Sequence, residues 1–72
     1  MSPKQRRIRN KIRELRTARG LSQGELADEV GATSQTINAI EQEKYAPSLE
    51  LAFRIAEVFG IPFEDVWKLD GR

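Results

Sequence analysis

Seventy-two residues with twelve basic and eleven acidic side chains, no cysteine and no histidine leave room for one small domain. Without Cys or His there is no disulfide, no thiolate site and no zinc site of the usual donor set. At this size a single core rarely supplies more than about 3–5 kcal/mol, so stabilisation by oligomerisation is expected.

The net charge of +1 is unevenly spread. Residues 1–19 carry eight basic side chains against Glu14, whereas residues 20–72 carry four basic and ten acidic ones. Such asymmetry suggests an arm that meets a polyanion, or a solvated tail. No apolar run approaches the ~20 residues that span a bilayer, and the basic start has no secretory apolar core. A cytoplasmic protein with no membrane partner is expected.

Met1 to Arg9 holds Pro3, many charges and almost no apolar residue. This predicts a flexible basic arm over residues 1–9, in which Arg6, Arg7 and Arg9 reach phosphates or enter a minor groove. The first helix follows, from Asn10 as its cap to Arg19, with Gly20 as its stop. Ile12 and Leu15 face the core, and Ala18 or Arg19 closes the stripe.

The stretch LSQGELADEVGATSQTINAIE, Leu21 to Glu41, reads as two short helices joined by a tight turn. Ser22 and Glu25 stand at capping-box spacing, and Leu26, Ala27 and Val30 mark a buried helical face. Gly31 ends that helix, because glycine tolerates a positive φ. Thr33 caps the next helix, whose apolar stripe is Ile37 and Ile40. Helices this close, at 22–30 and 33–41, match a helix-turn-helix unit. Ala27 keeps the crossing close. The outward positions Ser34, Gln35 and Asn38 are uncharged hydrogen-bonding groups, where a solvated face more often carries Lys and Glu. Amide and hydroxyl tips can read donor and acceptor patterns on base edges in the major groove, Gln35 first among them. Ser22 and Gln23 sit at a helix N-terminus, whose N–H groups and dipole favour an anion such as phosphate. For Ser22 a plain cap is equally consistent, and both can hold, since capping uses the oxygen and leaves the hydroxyl proton. Gly24 costs about 1 kcal/mol relative to alanine inside a helix.

IRELRTARGLSQGELADEVGATSQTINAIE, followed by KYAPSLELAFRIAEVFGIPFEDVW, resembles the lambda-repressor-like helix-turn-helix family, also called the Cro/C1 or Xre type. The resemblance covers roughly residues 10 to 67, and is greatest for the short single-domain regulators of that family. It implies an all-α, five-helix DNA-binding domain over residues 10–67 and a sequence-specific transcription regulator, most simply a repressor. It implies phosphate contacts at Ser22 and Gln23, with Thr33 assigned the same role. It also implies an ion pair between Arg16 and Glu41, tying the first helix to the recognition helix. Relatives usually carry Asn-Gly after the glutamate. Here Gln42 and Glu43 stand there, which leaves the end of that helix open by a residue or two.

Lys44 and Tyr45 are placed to touch the DNA backbone beside the recognition helix; packing of the Tyr45 ring on the loop is the alternative. Helix 4 starts after Pro47 with Ser48 as cap and Glu50 in its first turn, and ends at Gly60. Leu51, Ile55, Val58 and Phe59 form its stripe, and Ala52 and Ala56 allow close approach. Pro62 fits the first turn of a short fifth helix. Phe63, Val66 and Trp67 either complete the core or form a dimer interface. The resemblance favours the interface, since short relatives dimerise through this end. Lys68 to Arg72 is a short strand or a frayed tail.

The partners expected are double-stranded DNA, at a palindromic operator, and a second copy of the chain. The alternative is an antitoxin-like or adaptor module that uses the same fold to bind a protein. No catalytic constellation, metal site or cofactor loop is visible, so neither an enzyme nor a cofactor is expected.

Overall fold

In the computed structural model, which describes residues 7–69, five helices lie between two short strands. The order is β1 (Ile8–Asn10), α1 (Ile12–Ala18), α2 (Gln23–Val30), α3 (Ser34–Glu41), α4 (Leu49–Phe59), α5 (Phe63–Val66) and β2 (Trp67–Leu69). The strands pair antiparallel, with Ile8 opposite Leu69, Arg9 opposite Lys68 and Asn10 opposite Trp67.

Local chemistry explains the boundaries. Ser22 accepts from the Glu25 N–H while Glu25 accepts from the Ser22 N–H, so both halves of the capping box form. Thr33 and Ser48 cap α3 and α4 through their hydroxyl oxygens. Gly31 and Gly60 close α2 and α4 with φ of 75° and 67°, where a Cβ is costly. The helix-turn-helix boundaries therefore agree with the spacing of the caps and glycines.

The core is apolar throughout. Ile12, Leu26, Val30, Ile37, Ile40, Ile55, Phe59 and Val66 are fully enclosed, and Ala27, Ala52 and Ala56 let helices approach. Arg19 adds a tie between the first helix and the fourth: its guanidinium donates to the carbonyls of Val58 and Phe59 and lies 5.5 Å from the Phe59 ring centroid. The last carbonyls of a helix are orphan acceptors, and a cation there also meets the negative end of the dipole.

The N-terminal end departs from expectation, whereas β2 is the short C-terminal strand that stood as one of two alternatives there. Ile8 and Arg9 are not in a flexible arm; they belong to β1. Asn10 is likewise in the strand, and Lys11 stands at the N-cap of α1 without a side-chain cap bond. Asn10 still accepts from the Ile12 N–H at 3.2 Å, while its Nδ2 donates to the Ile40 carbonyl at 2.9 Å. Residues 1–6, including Arg6, lie outside the described residues, as do 70–72.

Val66 and Trp67, expected at an interface, are instead enclosed by the monomer core. Val66 is fully enclosed and Trp67 is 6% exposed, with its Nε1 donating to the Ala52 carbonyl at 3.2 Å. Pairing of β2 with β1 turns the indole onto α4, where Ala52 leaves room. Phe63 is half-buried, 4.7 Å from Phe53 and 6.2 Å from Trp67 between ring centroids.

A candidate nucleic-acid interface

Helix α3 is held from behind and open in front. Ile37 and Ile40 anchor it in the core, and α2 packs across it through Leu26, Ala27 and Val30. Ser34, Gln35 and Asn38 are all exposed on the opposite face. The three side chains chosen as base readers therefore share one accessible surface at the N-terminal end of a firmly seated helix.

Behind that face lies the ion pair. Arg16 Nε donates to Glu41 Oε2 at 2.7 Å, and Nη2 to Oε1 at 3.1 Å. The third donor, Nη1, reaches the Leu21 carbonyl at 2.9 Å, fixing the residue just before the α2 cap. The side chains retain 11% and 5% of their exposure, so the charges are largely desolvated. The hydrogen bond to Glu41 raises the Arg16 pKa above its ordinary value, against the opposing effect of burial. One guanidinium thus ties together α1, the start of α2 and the end of α3.

The polar network continues outward. Gln23 Nε2 donates at 3.1 Å to Glu41 Oε1 and at 3.1 Å to Asn38 Oδ1. Gln42 Nε2 donates to the same Asn38 oxygen at 3.3 Å. This arrangement corrects one expectation: the Gln23 amide nitrogen faces the protein rather than a phosphate. Of the groups assigned to phosphate there, the backbone N–H at the start of α2 remains suited to an anion. The Ser22 hydroxyl oxygen serves as cap, which leaves its proton for an acceptor outside. Thr33 differs, because its hydroxyl donates to Thr36 Oγ1 at 3.0 Å while accepting the Thr36 N–H. As arranged, it offers no proton to a phosphate.

The loop after α3 settles the open boundary. Glu43 takes φ of 62°, the described positive-φ residue that is not glycine. Its N–H donates to the Ile40 carbonyl, and the Lys44 N–H reaches back to Ala39 at 2.9 Å, the pair of bonds that closes a Schellman turn. A left-handed glutamate is unfavourable by itself. Here its carboxylate is gripped by Arg7 Nη2 at 3.0 Å and Arg9 Nε at 2.9 Å. These arginines, expected to reach phosphates, are therefore docked beside the C-terminal end of α3. Lys44 and Tyr45 are exposed in the same loop, so the Tyr45 ring is not packed away.

Sequence reasoning missed the roles of Asn10, Glu43 and the Gln23–Asn38–Gln42 cluster. The amides of Gln23 and Gln42 meet at the Asn38 oxygen, a cluster that appears only once α2 and α3 are crossed.

A second surface lies at the strand end. Leu49, Phe53 and Leu69 are 68%, 52% and 51% exposed, and Ile8 stands beside them. Ile8, Leu49, Phe63, Trp67 and Leu69 rim an apolar groove of about 460 Å3, and Phe53 packs on Phe63 at its side. No helix among the described residues is long and apolar enough to cross a membrane.

Comparison with known proteins agrees with this geometry. The family profile described as helix-turn-helix matches residues 12–66. An HTH-type transcriptional regulator of Methanocaldococcus jannaschii is 47% identical over 60 residues, covering 83% of this chain and 91% of that protein. YgzD of Bacillus subtilis, another HTH-type transcriptional regulator, is 46% identical over 63 residues, 88% of this chain and 96% of its own. RstR, a cryptic phage CTXphi transcriptional repressor from Vibrio cholerae, is 35% identical over 57 residues, covering 79% of this chain but 51% of RstR. With its two capped helices, its Gly31 turn and a match spanning the helical core, the chain belongs to the lambda-repressor-like, Cro/C1-type helix-turn-helix family.

Proposed function

We propose that this chain is a sequence-specific regulator of transcription, acting as a repressor, that binds double-stranded DNA with α3 in the major groove. One observation carries the reading: Ser34, Gln35 and Asn38 lie exposed on the face of α3 opposite its core anchors. The regulator relatives and the repressor RstR support it. Gln35 reads a base edge most directly, Asn38 lies one turn further, and Ser34 flanks them. The first turn of α2 with Ser22, together with Lys44, Tyr45, Arg7 and Arg9, supplies backbone contacts.

The working form is a homodimer. The groove at Ile8, Leu49, Phe63 and Leu69, with exposed Phe53 beside it, is the apolar surface a second copy would cover. Two-fold pairing would set recognition helices about 34 Å apart on a palindromic operator. The same groove favours a second reading, a protein-interaction module of antitoxin type in which a protein partner occupies it. No catalytic activity forms part of either reading, and the cytoplasm suits both.

Selection of bound sequences from a random DNA pool, run beside light scattering, tests the proposal. A symmetric enriched site and a doubled mass are expected. A protein that ignores DNA at low salt and stays monomeric contradicts it.

A further inference from the structure

The hydrogen bonds around Asn38 have a direction, and the direction is chemically forced. A carboxylate has only acceptor atoms, so Gln23 must turn its nitrogen toward Glu41. The second proton of that NH2 group then points at Asn38, which must present its oxygen in return. Gln42 Nε2 approaches the same oxygen, so both lone pairs of Asn38 Oδ1 have donors. Among the described residues the Asn38 nitrogen has no acceptor, and the side chain is exposed. What Asn38 shows outward is therefore a donor-only tip. The origin of that polarity lies at Arg16, 25 residues before Glu41, where it fixes both carboxylate oxygens.

An asparagine free to turn pairs with adenine by donating and accepting at once. This one has no acceptor left to offer. Guanine presents two acceptors, O6 and N7, side by side in the major groove. We propose that Asn38 reads a guanine through its NH2 group, and that Gln23 is the positioning residue that relays this polarity from the Arg16–Glu41 pair. The inference rests on the DNA-reading assignment above and adds the base class read at one position.

The test is a random-pool selection with the full chain and two variants, Asn38→Ala and Gln23→Leu, each checked for folding by circular dichroism. The base pair that loses its preference in Asn38→Ala is the one Asn38 reads. At that pair the parent protein prefers G·C over A·T by about tenfold. Gln23→Leu frees the amide to turn, so the G·C preference there falls and A·T gains, while other positions keep theirs. Any other pair preferred by the parent protein, or an unchanged preference in Gln23→Leu, overturns the inference, as does an Asn38→Ala profile identical to the parent's. A parent protein that enriches no site at all overturns the DNA-reading assignment itself. A measurement without variants runs in parallel: 7-deazaguanine, which lacks the N7 acceptor, is placed in turn at each guanine of the selected site. Weakened binding at the assigned guanine is expected, and full binding at every substituted guanine overturns the inference.

Discussion

Breaking the Arg16–Glu41 pair from either side has different consequences, and the structure fixes which. Arg16→Met leaves the Glu41 carboxylate, 5% exposed in the intact protein, bonded among the described residues only to Gln23. Glu41→Leu leaves a guanidinium that retains the Leu21 carbonyl. Removing one partner of a buried pair costs about 3–5 kcal/mol, whereas replacing both by apolar groups is often near neutral. A core of this size supplies roughly that much in total, so each single variant is expected near its unfolding midpoint at room temperature. Arg16→Met, Glu41→Leu together are expected within about 1 kcal/mol of the parent protein.

In Glu41→Leu the guanidinium cannot discharge, and the loss is independent of pH. In the intact protein the Arg16 pKa is raised, so its contribution is complete below the ordinary arginine value and is lost only as pH passes the raised one. No response from this pair is expected near neutrality. Urea unfolding followed by emission of Trp67, the single tryptophan, provides the assay. An Arg16→Met cost below about 1 kcal/mol at neutral pH refutes the reasoning.

Gly24 lies inside α2, where an added Cβ would meet only Ser22 Oγ at 3.8 Å, so Gly24→Ala is expected to stabilise the fold by roughly 0.5–1 kcal/mol in thermal unfolding. A lower midpoint would contradict that. Gly31→Ala, at φ of 75° with Arg54 Nη1 3.5 Å from the new carbon, is expected to cost about 1–2 kcal/mol in the same assay. Phe53→Glu places a charge beside the strand-end groove and is expected to halve the mass in light scattering while leaving the helical circular dichroism spectrum intact. Arg9→Ala is expected to flatten the log–log salt dependence of DNA binding by about 1, as a lost phosphate contact should; an unchanged slope would place that arginine outside the DNA contacts.

The helices were legible because each boundary has a local cause. Ser22 with Glu25, Thr33, Ser48, Gly31 and Gly60 act within a turn of themselves, so spacing alone locates them. The reading face was legible for a similar reason: the Ile37 and Ile40 stripe fixes which side of α3 is buried and leaves Ser34, Gln35 and Asn38 outside. What escaped depends on residues far apart in the chain. The β1–β2 pairing joins Ile8 to Leu69; a C-terminal strand stood as one alternative, but the three residues of β1 carry too little alternation to announce its partner. That pairing turns Trp67 inward and moves the exposed apolar surface to Leu49, Phe53 and Leu69. It also docks Arg7 and Arg9 on Glu43, whose left-handed φ the sequence could only make uncomfortable. Gln23 looked like a phosphate ligand because its position at a helix start says nothing of the carboxylate across the crossing.

The central claim is that the exposed tip of α3 distinguishes one duplex from another. It is tested most directly by the ratio of affinities for the selected operator and a scrambled duplex, measured at one salt concentration for the parent protein and for Gln35→Ala. The account predicts that the ratio falls about tenfold in the variant while the affinity for scrambled DNA and its salt dependence stay the same. A variant that weakens on both duplexes equally, or on neither, contradicts it.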